Sequence, residues 1–214
     1  MRARLLLSVL PGVLAFLLLS PGAGARDLDE GLLQSAWFGG DLDWRRADEI
    51  DYLWVEEGFS LQGRTIHVAD WEDPEFLHKK DRDTKDSARA YELTETMPAW
   101  LRGALTTSLA GSAEVSRAEG DVRLEGRLVD VNAGSRVAKM MVGLGAGSAT
   151  ATWDLKLVDA ETGRVLAAIH HRAVSGTQMS NIDDKIVKWM DEALVPAVRR
   201  GLAQAYASGK PVKK

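Results

Sequence analysis

Two histidines side by side, His170 and His171, sit inside the strand-like run "RVLAAIHHRAVSG" and are the first residues whose type invites chemistry. Imidazole is both a general acid–base group and a metal ligand. Neighbours on a strand point to opposite faces, so the two rings cannot share one metal without a bulge. They read as sheet-face residues with separate partners, Asp154 or Lys156 across the sheet being candidates. The acidic pairs "DLD" at Asp41 and "DRD" at Asp81 lack the glycine and terminal glutamate of a calcium loop and read as solvated turns. Paired carboxylates also hydrolyse glycosidic bonds, but spacing along the chain does not give their separation in space. No serine occupies G-x-S-x-G, because Ser175 is followed directly by Gly176. The chain has no cysteine, hence no thiol nucleophile, no disulfide and no Cys metal site. The sequence therefore nominates no catalytic residue and no metal.

Gly143, Gly145 and Gly147 in "SRVAKMMVGLGAGSATATWDL" raise the question of a phosphate cradle. A dinucleotide fingerprint requires G-x-G-x-x-G ahead of a helix, yet Ser148 stands where the third glycine belongs and a strand-like run follows. A Walker A loop requires a Lys after its last glycine, and none follows Gly147. No nucleotide and no other cofactor is expected. Glycines at alternate positions strip one side of an extended segment to bare backbone, while Met140, Met141, Val142 and Leu144 supply soft apolar bulk. Two readings stand: a bulged strand tucked under a helix, or an apolar projection meeting a membrane or another subunit. Met140, Met141, Val142, Gly143, Leu144, Gly145 and Gly147 form the candidate interaction surface.

The elements around these residues follow from periodicity. "RTIHVADW" alternates as a strand, with Ile66 and Val68 on one face. "DPEFLHKKDRDTKDS" reads as a mobile charged loop. Met97, Trp100, Leu101, Ala104, Leu105 and Leu109 recur at helical spacing, with Pro98 in the first turn, Thr96 or Thr94 as cap and Gly111 as terminator. Then come "DVRLEGRLVDV", with one wet face, "ATATWDLKLVDA", and the histidine-bearing strand, the last two joined by the hairpin Asp159 to Gly163. A second helix carries Ile182, Ile186, Trp189, Met190, Ala193 and Ala197, with Ser180 and Asp183 as a capping box and a kink at Pro196. Trp100 and Trp189 are expected in the core. The order strand-helix-strand-strand-strand-helix predicts an α+β domain: an antiparallel sheet of about four strands with two helices packed on one face.

Charge and the amino terminus bear on location. Arg2 and Arg4, the apolar run Leu5 to Leu19 and the site Ala23-Gly24-Ala25 read as a signal peptide, residues 1–25, cleaved between Ala25 and Arg26. Its loss takes the formal charge from −4 to about −6, with basic residues scattered rather than clustered, which argues against nucleic acid as a partner. Residues 26–60 form an acidic, aromatic arm whose Trp37, Phe38, Trp44, Tyr52, Trp54 and Phe59 dock onto the domain, with Ile50 to Val55 as a short strand. The domain spans 61–207, and residues 208–214 form a basic tail without order. The absence of an acylatable cysteine predicts a periplasmic protein that is not a lipoprotein.

"GRTIHVADWED", a helix, "VRLEGRLVDV" and "WDLKLVDAETGRVL" resemble the small α+β domain of the curli-secretion channel subunit, the lipoprotein activators of penicillin-binding proteins and the amino-terminal domain of the Tol translocation protein. "GSRVAKMMVGLGAGSATATWDLKLVDAETGRVLAA" is similar to an uncharacterised family of bacterial envelope proteins with a Gly-rich segment before a "DA-TG" hairpin. The resemblance implies a non-catalytic interaction or assembly module of the cell envelope, whose partner is another envelope protein or a second copy. The alternatives are a membrane-contacting or oligomeric subunit using the Gly/Met segment, with peripheral membrane contact, and a hydrolase using carboxylates or His171.

Overall fold

Three long strands in consecutive antiparallel register form the centre of the molecule: β5 (Val122–Asn132), β6 (Thr150–Asp159) and β7 (Val165–Val174). The computed structural model describes residues 32–77, 84–132, 134, 148–175 and 181–212. The β6–β7 hairpin closes as its sequence dictates. Asp159 Oδ1 accepts from the Thr162 backbone N–H at 2.9 Å and from its hydroxyl at 2.7 Å, and Gly163 turns at φ 73°.

The sheet is larger and differently connected than expected. Its order is β4-β3-β5-β6-β7-β2-β1-β8, adding β1 (Arg45–Ala47), β2 (Ile50–Val55), β3 (Thr65–Val68), β4 (Glu114–Ser116) and β8 (Lys210–Pro211). Among the described residues it is a single mixed sheet of eight strands accompanied by more than two helices, which corrects the expectation of a four-stranded antiparallel sheet with two helices. β3 runs parallel to both β4 and β5 because the chain between them passes through the long helix α1 (Thr84–Ser108), a crossover that returns it to the same end of the sheet. β2 pairs antiparallel with β7, so part of the segment taken for an arm is an inner strand. Arg45 and Arg46 of β1 pair in turn with Pro211 and Lys210, giving order to residues expected in the tail.

The helices gather on one face of this sheet. α1 starts earlier than its apolar stripe suggested and carries Pro98 in its interior rather than in the first turn. Ala90, Leu93, Met97, Leu101 and Leu105 are buried against the sheet, whereas Trp100 is only half-buried at the edge of that core. α2 (Ile182–Trp189) is capped by Asn181, whose Oδ1 accepts from the Asp184 N–H at 2.7 Å; Ser180, the expected cap, lies outside the described residues. A π turn, Met190–Leu194, links α2 to α3 (Val195–Arg200), which has Pro196 in its first turn. Proline cannot donate to the carbonyl four residues back, and a wider turn accommodates that loss. α4 (Leu202–Ser208) follows, and the expected stripe from Ile182 to Ala197 is buried throughout.

Two local features refine the sheet. A bulge between Leu128 and Asp130 inserts Val129, so Val131 returns to the helix-side core and Asp130 pairs with Thr152 on the other side. After β3 the chain runs on beside β5, with Ala69, Glu75 and Leu77 donating to Leu124, Leu128 and Val129 carbonyls; this covers part of the segment expected to be a mobile loop. Trp71 lies there, over Gly126. A Cβ on Gly126 would come within 2.1 Å of the indole, so the missing side chain is what admits the ring.

Gly126→Val is expected to destabilise the fold by about 1–3 kcal/mol through overpacking. Gly103→Ala, in the interior of α1 with open space around the added methyl, is expected to gain about 0.5–1 kcal/mol. Paired urea melts check both, and a loss of equal size in the two variants would contradict the assignment.

Candidate functional site

The face of the sheet away from the helices carries a cross-strand row of polar groups. Arg127 on β5, Asp154 on β6, His170 on β7 and Tyr52 on β2 are successive register partners. Strand alternation puts all four on one face, and the register lines them up. Asp154 and His170 are fully buried and Arg127 is 4% exposed.

Asp154 is held from both sides. The Arg127 Nε donates to its Oδ2 at 2.8 Å with Nη2 at 2.7 Å, and the His170 Nδ1 lies 2.6 Å from Oδ1. Arg127 Nη1 reaches out to Glu75 at 3.0 Å. A buried carboxylate without such partners would cost several kcal/mol, so the row is an all-or-none arrangement. Next to it, Lys156 pairs with Glu125 at 3.2 Å, and Glu125 also meets Arg123. Burial pulls the Glu125 carboxyl upward, but the hydrogen bonds and charges of Arg123 and Lys156 outweigh it and hold the group below the ordinary carboxylate range.

An amino-terminal strap covers the row. The 3-10 turn Ser35–Phe38 presents the Trp37 ring to two cations, with the Arg127 guanidinium carbon 4.7 Å and the Lys156 Nζ 4.1 Å from its centroid. Lys156 also donates to the Trp37 carbonyl at 3.0 Å. From Trp37 a series of edge-to-face aromatic contacts runs through Phe38, Trp44 and Tyr52 to His170. Trp37, Phe38, Trp44 and Tyr52 thus pack over the charged row, whereas Phe59 joins the helix-side core.

His171 faces the other way. Its ring stacks on Trp189 at 4.6 Å and 15° and meets the edge of Trp153 at 5.2 Å, while its Nδ1 lies 2.8 Å from Asp51 Oδ2. Burial works against ionisation of Asp51. His171, the Arg172 backbone N–H at 3.1 Å and Arg46 together overcome it, and the Asp51 carboxyl is held below its ordinary value. The two histidines occupy opposite faces, as alternation requires. Among the described residues no group of three or more His, Asp or Glu is placed to hold a metal ion.

An aspartate bonded to one imidazole nitrogen is the arrangement that orients histidine for proton transfer. Here the other nitrogen, His170 Nε2, is buried and has no hydrogen-bond partner among the described residues. Of the residues considered from sequence, Asp154 is the partner of His170, while Lys156 pairs elsewhere. Arg127 was read as part of a wet face, and its burial under Trp37 had no local signal. Asp51, the partner of His171, was missed because it lies in the arm. The candidate surface Met140 to Gly147 and the cleavage site Ala25/Arg26 lie outside the described residues. Among the described residues no helix is long and apolar enough to cross a membrane.

These features define an α+β domain with a mixed sheet, helices on one face and a polar row strapped under an aromatic segment on the other. The chain belongs to the DUF4410 family, a domain of unknown function, whose model matches residues 55–179. No curated protein matches the chain. Among solved structures it is similar to the PelC dodecamer from Paraburkholderia phytofirmans, at 12% identity over 67% of this chain and 95% of that one, with a TM-score of 0.46. It is similar also to lipoprotein GNA1162 from Neisseria meningitidis, at 12% identity over 64% of this chain and 98% of that one, with a TM-score of 0.37.

Asp154→Asn removes the buried counter-charge of Arg127 and leaves it only the exposed Glu75, and is expected to cost about 3–5 kcal/mol in a urea melt. Trp37→Ala, which only unlatches the strap, is expected to cost less. For Asp51 the sign follows from a depressed folded value: its stabilisation is present above the unfolded value near 3.8 and is lost as pH falls through the folded one. Stability measured from roughly pH 5 to roughly pH 3 should therefore fall less steeply in Asp51→Asn than in the parent.

Proposed function

We propose that the protein is a non-catalytic interaction or assembly module of the bacterial cell envelope, exported through the leader 1–25 and acting in the periplasm by binding another envelope protein or a second copy of itself. The observation that carries this reading is the fate of the acid–base groups. Asp154 is paired with Arg127 and His170 away from solvent and Trp37 covers Arg127, so these groups serve to fasten the strap to the sheet, while His170 Nε2 is buried with no partner among the described residues. A group working on substrate must reach the proton it transfers. A hydrolase built on His170 would need the strap to leave before its Nε2 could act, and His171, on which the hydrolase reading drew, is buried against Trp153 and Trp189.

The contact surface in this proposal is Met140 to Gly147, in the connection between β5 and β6. Its Met, Val and Leu side chains offer apolar contact area, and its glycines allow close approach of a partner backbone. Met141→Asp and Gly145→Val are expected to leave the melting temperature of the exported protein within a few degrees while weakening its association. Sedimentation and thermal melts on both variants check this. Unfolding with no specific loss of association would remove the segment from the interface.

A further inference from the structure

The helix-side face contains a feature that the polar row and the Gly/Met segment leave unused. Between the end of α1, the loop from Phe59 to Gln62 and the α3–α4 junction lies an open groove of about 360 Å³. That is within the size range of small-molecule sites, roughly 300–1,000 Å³. Its walls include Phe59, Leu61, Leu109, Val198 and Leu202, and its rim carries Gln62, Arg199 and Gln204. The groove exists because the helix breaks at Gly201, whose φ of 94° ends α3 and re-aims α4 and which offers no side chain to fill the gap.

Leu61, Val198 and Leu202 also line a separate small cavity of about 30 Å³, whose other walls include Ile66, Leu105, Leu155 and Ile169. A polar ligand has nothing to bond to along these leucines, whereas an alkyl tail gains by leaving water. The rim supplies the opposite character. Arg200 is paired with Asp48, but Arg199 is exposed and has no carboxylate within ion-pair distance among the described residues. Apolar walls beside an uncompensated guanidinium are complementary to an alkyl chain ending in an anionic head.

We propose that this groove binds a single-chain anionic amphiphile, a fatty acid or a monoacyl lipid, with the tail over Leu61, Val198 and Leu202 and the acidic head at Arg199. It extends the envelope reading to a second surface and does not require Met140 to Gly147 to be an interface. Laurate is a suitable probe, with dodecanol as the uncharged control, both titrated calorimetrically below their aggregation limits. The expected result is saturable one-to-one binding of laurate that raises the melting temperature. Arg199→Glu, at an exposed position, should weaken laurate roughly tenfold and leave dodecanol unchanged. Leu61→Glu, at a half-buried position, should abolish binding of both. Circular dichroism establishes that each variant is folded, and Gln62→Trp, which narrows the mouth from the exposed loop, provides a further block if Leu61→Glu is not. No saturable binding to the parent protein, or binding indifferent to both Arg199 and the apolar walls, would overturn the proposal. So would adsorption to anionic vesicles without uptake of monomeric laurate, which would make the groove part of a membrane-contact face. Association lost in Met141→Asp with laurate binding intact would separate this site from the proposed interface.

Discussion

The buried Asp154 carboxylate is the constraint around which the sheet's outer face is organised. It ties three strands together, taking two nitrogens from Arg127 on β5 and one from His170 on β7. Having neutralised it, Arg127 still offers the face of its guanidinium, and Trp37 covers that face. The strap, the aromatic series behind it and the position of Tyr52 on β2 all follow from the need to keep this charge dry and paired. Buried ion pairs add little net stability compared with hydrophobic packing, but they penalise any register in which a partner is displaced. A one-residue slip of β6 would carry Asp154 to the helix side, among leucines.

The two faces of the sheet therefore do different work. Toward the helices, Leu53, Leu155, Ile169, Leu101 and Ile186 belong to one large apolar core, and Trp71 fills the gap left by Gly126. Toward the strap, a smaller cluster of Phe38, Trp44, Tyr52 and Ala168 closes over the charges. His170 and His171 belong one to each side, and each is paired with a carboxylate from a different strand. With these polar groups paired internally, binding is proposed elsewhere in the chain, at the residues between β5 and β6 and at the groove opened by the break at Gly201.

Some of this was readable from local pattern. The alternation in β5, β6 and β7, the turn chemistry of Asp159, Thr162 and Gly163, and the stripe from Ile182 to Ala197 each depend on residues a few positions apart. The short hairpin also sets the β6–β7 register and so places Asp154 opposite His170. Arg127 was not readable in the same way, because β5 and β6 are joined by a long connection that fixes no register. Nor was Asp51, whose strand reaches β7 from more than a hundred residues away.

By itself, then, the sequence determined the α+β class, the element types in the central region and the opposite orientations of the two histidines. Only the tertiary structure decided that the sheet is mixed and eight-stranded, that β2 is an inner strand, and that the face read as wet is sealed over Asp154. The physical reason is range. Periodicity and turn chemistry are local, whereas strand order and the burial of a charge are set by which distant segments meet, and that choice is made by the whole chain at once.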